Sequence, residues 1–582
     1  MRLRSEILRA SSRFPVPASV VSHGLGFVLL QSSGSGYGVF GGPMHPKNAK
    51  TLSMEHRFGW RAAAAMALLF TSALAVAADR SGQWKRDIAT IANDRNEGRL
   101  TGTRGYLRAA RYVEKRIRQI GLKPAGQGGT FRQPVSFEEQ TIDLANCSAM
   151  LTVDDRRFPL RVGSDLIIGA RGAPLPQALD APLVFVGYGL HMPERQYDDF
   201  AGLDLRGKIA VVISGGPASL SGPEKAVARS QRARFLAKAG AVGLLSLTTP
   251  KQFEIPWSRV TLLASQPGMY LADARLRDTP DGYQSAALNP SIAERIFVGS
   301  GHSFAELADL ADRSAAVPRF PLKARLSTRL ATSHRRLTSP NLIALLEGSD
   351  AHLKNQYVVL SAHLDHLGIG EPIGGDRIYN GAMDDASGVA SVLDIARQLA
   401  TGPRLRRSML FVIMTGEEKG LLGSYYFANH PPVPSSAMVA DLNIDMPLPL
   451  WKLKKVILEG EDESDLGDVG RSVAAEQDLR VVPDPIPNQN VLIRTDQFSF
   501  LRSGIPALAF RFGFERNTPE FQIQHDWFTN RYHAPSDDPQ QPGVQASEAI
   551  RLDDYMSVIA RRIADSPERP HWKQQSLFND RH

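Results

Sequence analysis

Tyr357-Val358-Val359-Leu360 runs directly into Ser361-Ala362-His363-Leu364-Asp365, an apolar stretch that ends on an imidazole and a carboxylate. The pattern recurs twice downstream. Residues 409–414 run into Thr415-Gly416-Glu417-Glu418, and residues 439–444 run into Asp445. Two more apolar runs stand at 342–346 and 507–510, with helical spacing near 387–400 and 420–429. A strand with one wet face alternates polar and apolar residues; a run apolar at every position is buried on both faces. Such strands alternating with helices predict an α/β fold with a largely parallel sheet covered on both sides. Ligands bind beyond the carboxyl ends of strands in sheets of this kind, where these polar residues stand.

Other residues join the same crevice: Asp384-Asp385-Ala386-Ser387-Gly388 at a helix start, and Tyr532-His533 in a late loop ahead of Ser536-Asp537. Imidazole and carboxylate ligands without cysteine suit zinc at a catalytic rather than a structural site. Two histidines with three or four acids exceed what one zinc needs, and two metals sharing a carboxylate would use them all. Adjacent Glu417 and Glu418 point in different directions at a strand end, so one can bind metal while the other handles a proton. Asp365, two residues from His363, is positioned to accept the second imidazole N–H and fix the ligating tautomer.

Five segments occur in a fixed order: His363-Leu364-Asp365, Asn380-Gly381-Ala382-Met383-Asp384-Asp385-Ala386-Ser387-Gly388, Glu417-Glu418-Lys419-Gly420-Leu421-Leu422-Gly423-Ser424, Asn443-Ile444-Asp445-Met446 and Tyr532-His533-Ala534-Pro535-Ser536-Asp537. They resemble the motifs of the co-catalytic di-zinc aminopeptidase family that includes aminopeptidase Y and is related to glutamate carboxypeptidase. The resemblance implies two Zn2+ ions per chain. His363 and Asp445 would bind one, Glu418 and His533 the other, Asp384 would bridge them, and Glu417 would be the general acid/base. It also implies a cis peptide between Asp384 and Asp385, peptide substrates, and a zinc-exopeptidase α/β/α sandwich with a mostly parallel mixed sheet. His366 reads as a structural or rim histidine, because the metal set is complete without it. Arg494-Thr495-Asp496-Gln497 resembles a segment near the family's active site in which His often stands where Gln497 does here.

Gly98-Arg99-Leu100-Thr101-Gly102-Thr103 is similar to the N-terminal helical part of these enzymes. Val186-Gly187-Tyr188-Gly189 and Leu203-Asp204-Leu205-Arg206-Gly207-Lys208-Ile209 are similar to an inserted, β-rich protease-associated domain. The expected organisation is a non-native or disordered leader at 1–53, a signal peptide at 54–77, the N-terminal helical part at 78–140, the protease-associated domain at 141–325, the catalytic domain at 326–568 and a tail at 569–582.

The chain has 582 residues, 43% hydrophobic and 22% charged, with one cysteine, which excludes a disordered chain and a disulfide scaffold. Its net charge of +8 is concentrated at the start: residues 1–77 hold eight Lys/Arg and two acids, leaving 60 basic against 58 acidic residues beyond, a net +2. That balance gives nucleic-acid binding no support. His56, Arg57 and Arg61 precede or open an apolar run at 62–74 that ends in Ala75-Val76-Ala77, the pattern of a cleaved secretory signal. The expectation is a periplasmic or secreted protein with no stable membrane anchor after cleavage. A carboxypeptidase or dipeptidase of the same fold is the alternative, with Arg494, Arg511 and Arg516 as candidate carboxylate holders. A non-catalytic binding module would have lost ligands, and none is missing.

Overall fold

The computed structural model describes residues 79–579, so the expected leader and signal peptide lie outside the described residues. Four strands form the centre of a ten-stranded mixed sheet: Ser408–Met414, Tyr357–His363, Met438–Ile444 and Ala507–Phe512, adjacent in that order and parallel. They contain the apolar runs of the sequence, interrupted only by Asp441 and Asn443 within 439–444, and all seven residues of Ser408–Met414 and of Met438–Ile444 are buried. Successive side chains serve opposite faces. Val358, Leu360 and Ala362 join one core with the helices Arg104–Ile120, Ser387–Thr401 and Ala546–Asp565, while Val359 joins another with Phe427, Phe498 and Leu501.

Antiparallel strands flank this centre. Thr332–Leu346, Arg132–Ile142 and Gly268–Leu271 extend one side; Lys455–Glu459 and the edge strand Arg480–Val481 extend the other. The register sets His363 opposite Met414 and Ile444 opposite Phe510, so the carboxyl ends of the central strands lie side by side. Whatever follows those residues is delivered to one edge.

The chain leaves the main sheet at Ile142 and re-enters at Thr332, its register partner. Between them lies a second, eight-stranded sheet with its own apolar core and the helices Gly222–Lys238 and Phe304–Asp312. The two strands at the crossing are continuous, so the expected boundaries at 140 and 325 fall inside Arg132–Ile142 and Phe320–Arg329. The insert also returns to the main sheet, because Gly268–Leu271 pairs with residues 137–140. After the last helix, Trp572 bridges to Ser464 and Phe578 is buried beside Phe498. Among the described residues no helix is long and apolar enough to cross a membrane.

Candidate metal centre

The centre is assembled on a turn that the local chain could not hold alone. Residues 382–386 separate Gly381, at φ 60°, from the helix Ser387–Thr401, and contain the cis Asp384–Asp385 peptide expected from the resemblance. Asp537 holds this turn from a distant loop: its carboxylate accepts from Met383 N at 2.9 Å and Asp384 N at 3.1 Å. Asp385 joins three segments, accepting from Gly388 N at 2.9 Å and Met446 N at 3.1 Å, with His363 N at 3.4 Å. Arg99, fully buried, donates to the carbonyls of Leu364 at 2.7 Å and Gly381 at 2.9 Å, and also to that of Asn380.

This scaffold brings together every residue that the motifs single out. His363 Nε2 lies 3.3 Å from Asp384 Oδ1, 3.5 Å from Asp445 Oδ1 and 3.8 Å from Glu417 Oε2. On the other side, His533 Nε2 lies 3.3 Å from both Asp384 Oδ2 and Glu418 Oε2. Asp384 therefore stands between two imidazoles, one facing each oxygen. His363 Nδ1 faces the Asp365 backbone carbonyl at 3.1 Å, which fixes Nδ1 as the protonated nitrogen and leaves the Nε2 lone pair pointed into the cluster.

Two details differ from the sequence expectation. The Asp365 carboxylate is 4.0 Å from the imidazole and does not orient it; the backbone carbonyl of the same residue does. The carboxylate instead accepts from Thr101 Oγ1 at 2.9 Å and Glu417 N at 3.1 Å, so it positions the acid expected to move the proton. His366 is not a rim residue. It is fully buried, with Nδ1 2.6 Å from Glu418 Oε1 and 3.8 Å from Asp384 Oδ2. Gln497 is buried and turned away, donating to the Leu492 carbonyl at 2.9 Å.

The donor set fits a metal. Two groups of three have ligand atoms within 4.8 Å of one another: His363, Glu417 and Asp445, and His366, Asp384 and Glu418. His363 Nε2 and Asp445 Oδ1 are buried without a hydrogen-bond partner, a costly arrangement for a protein interior unless a cation lies beside them. Burial pushes the Glu417 carboxyl well above the usual range; His363 opposes the shift, and Asp445 and Glu418 add to it.

The insert reaches this centre. Glu254 binds Arg494 at 2.6 Å, and Arg494 donates to the Tyr532 hydroxyl at 3.1 Å. Arg259 donates to the carbonyls of Thr529 and Tyr532, and the Tyr532 ring stacks on His533 with centroids 3.8 Å apart. Nothing in the sequence signalled these contacts, because Arg259 and Tyr532 are remote in the chain and neither belongs to a motif with the other.

The mixed α/β sheet thus gathers carboxylates and imidazoles beyond adjacent strand ends, a donor set suited to a metal. Residues 341–558, the stretch that carries all the candidate ligands, match the family model of peptidase family M28. An aminopeptidase from Aneurinibacillus sp. strain AM-1 has the same fold, with a TM-score of 0.50 at 20% identity over 84% of this chain and 95% of that one. Among curated proteins, a stretch of 192 residues is 30% identical to a "Probable leucine aminopeptidase 2" of Aspergillus fumigatus, covering 32% of this chain and 36% of that protein. A stretch of 93 residues is 36% identical to a "Vacuolar membrane protease" of Candida dubliniensis, covering 16% of this chain and 9% of that protein. The chain thus spans well under half the length of these curated relatives.

Proposed function

We propose that this protein is an exported exopeptidase holding two zinc ions, and that it removes N-terminal residues from peptides. The observation that carries the reading is Asp384, whose two oxygens each lie 3.3 Å from a different histidine Nε2. A carboxylate so placed suits a bridge between two metals, with His363 and Asp445 completing one site and Glu418 and His533 the other. Bound there, zinc would supply Lewis-acid polarisation of a carbonyl and would acidify water.

The remaining work falls to this chain's own groups. Glu417, held by the Asp365 bond to its backbone N–H, receives the proton of the attacking water and delivers it to the leaving amine. His363, locked by the Asp365 carbonyl, presents a fixed Nε2. The peptidase names of the relatives support the reaction class, and two of them are called aminopeptidases. Two of the three arginines considered for a carboxypeptidase are engaged in place, Arg494 with Glu254 and Arg511 with Glu459 at 2.9 Å, which favours the free-amine reading. Export rests on the signal pattern at 54–77, and N-terminal sequencing of the native protein tests it.

The deciding experiment measures the purified protein on free-amine and N-acetylated peptides, before and after chelation, with metal counted on the same sample. Two zinc ions per chain with chelator-sensitive cleavage of free-amine substrates alone is the expected result. Cleavage of blocked peptides moves the reading to a carboxypeptidase, and bound metal without turnover to a binding role. Glu417→Ala is expected to lower kcat by about 10²–10⁴-fold with metal content unchanged. Full activity in that variant removes Glu417 from its role.

A further inference from the structure

A cavity of about 820 Å³ adjoins the metal centre, and Gln489, Arg494 and Phe528 line both spaces. Its size is that of a ligand site rather than a packing void. Two parts of the chain build it: Arg229 and Lys251 come from the insert, Arg494 and Arg516 from the catalytic segment. One acid lines it, Glu254, and Arg494 already engages that carboxylate at 2.6 Å. Lys251 has only Asp312, at 3.8 Å. Neither Arg229 nor Arg516 has an ion-pair or hydrogen-bond partner among the described residues.

Arg229, Lys251 and Arg516 are exposed, yet all three open onto the same concave space as the half-buried Arg494. Like charges converging on a cleft focus a positive potential into it and raise the local concentration of anions. Guanidinium groups match carboxylates in shape, with two parallel hydrogen bonds available to each.

We infer that this cavity receives a carboxylate of the peptide substrate, on the part that extends away from the residue being removed. The inference rests on the exopeptidase reading above and narrows its substrate class to short free-acid peptides or peptides with an acidic residue near the cleavage point. A peptide spans at most about 3.3–3.6 Å per residue, so a C-terminal carboxylate reaches the cavity only in peptides of a few residues, whereas an acidic side chain reaches it in longer ones.

The test uses the purified full chain and two matched pairs: Leu-Gly-Gly against its C-terminal amide, and Leu-Glu-Gly-amide against Leu-Gln-Gly-amide. The expected result is a preference of about tenfold or more in kcat/KM for the carboxylate member of at least one pair, carried mainly by KM and weakened by added salt. The first pair reports the terminal carboxylate, the second a side chain. Arg229→Gln combined with Arg516→Gln is expected to bring the preference close to unity, and the Lys versions of both positions to retain part of it. Equal kcat/KM within both wild-type pairs overturns the inference and leaves the exopeptidase reading standing. A preference that survives the double Gln variant overturns the assignment to this cavity. Hydrolysis of N-acetylated peptides with none of the four substrates cut overturns the underlying reading itself.

Discussion

Asp537 decides whether the Asp384 turn keeps its shape, because its carboxylate is the acceptor for two consecutive backbone N–H groups, those of Met383 and Asp384. Both sites are buried, so removing the acceptor strands donors that water cannot satisfy, at about 1–3 kcal/mol each. Asp537→Ala is therefore expected to cost about 2–6 kcal/mol in a denaturant titration and to weaken metal binding about 10–100-fold in a competition titration. Asp537→Asn keeps one acceptor oxygen and is expected to lose less on both readouts; equal losses would assign the effect to packing rather than to the two bonds. The ligand candidates themselves were legible in the sequence, since each sits just past an apolar run or in a motif with a fixed neighbour. The residues that hold them were not. Arg99 and Thr101 meet the centre across more than 260 residues of chain, and a polar side chain gives no local sign of which distant carbonyl or carboxylate it serves.

The strand Ser408–Met414 and the helix Leu422–Asn429 meet closely enough that one glycine sets their spacing. A Cβ on Gly423 would overlap the Thr415 carbonyl oxygen and press on Asn341 Oδ1. Asn341 is itself committed, accepting from Thr415 N at 3.0 Å and donating to the Gly423 carbonyl at 3.0 Å. Because backbone rather than a flexible side chain blocks the new atom, Gly423→Ala is expected to cost about 3 kcal/mol and to displace Glu417 and Glu418, lowering kcat together with the unfolding midpoint. A variant that keeps both would show that the helix can slide without moving the strand end. The central strands were legible because burial on both faces keeps them mostly apolar, the buried exceptions Ser361, Asp441 and Asn443 bonding to one another. Thr332–Leu346 was legible only in its last third. Its first half is polar and exposed, Pro340 stands opposite Pro134, and its extent is fixed by pairing with Arg132–Ile142 rather than by local pattern. Gly268–Leu271 is four residues long and joins the main sheet from within the insert, a tertiary choice that no periodicity encodes.

At the scale of the whole molecule, the insert is part of the support for His533. That histidine sits at φ 53°, outside the regions most residues adopt freely, on a loop whose neighbouring carbonyls, those of Thr529 and Tyr532, both accept from Arg259. A second strut runs from Glu254 through Arg494 to the Tyr532 hydroxyl, and the Tyr532 ring lies against the imidazole. Losing one strut leaves the other, so the two should act together. Arg259→Ala and Glu254→Gln are each expected to weaken metal binding at the proposed Glu418–His533 site several-fold, and the double variant to weaken it by more than the product of the two. Binding at the proposed His363–Asp445 site should be spared, because no residue of the insert touches that pair within hydrogen-bond or ion-pair distance among the described residues. Titration of the two sites with a chromophoric chelator distinguishes these cases. Selective loss at one site makes the insert a positioning device for the centre, whereas equal loss at both makes its contribution one of general stability, and no loss restricts it to forming the cavity wall.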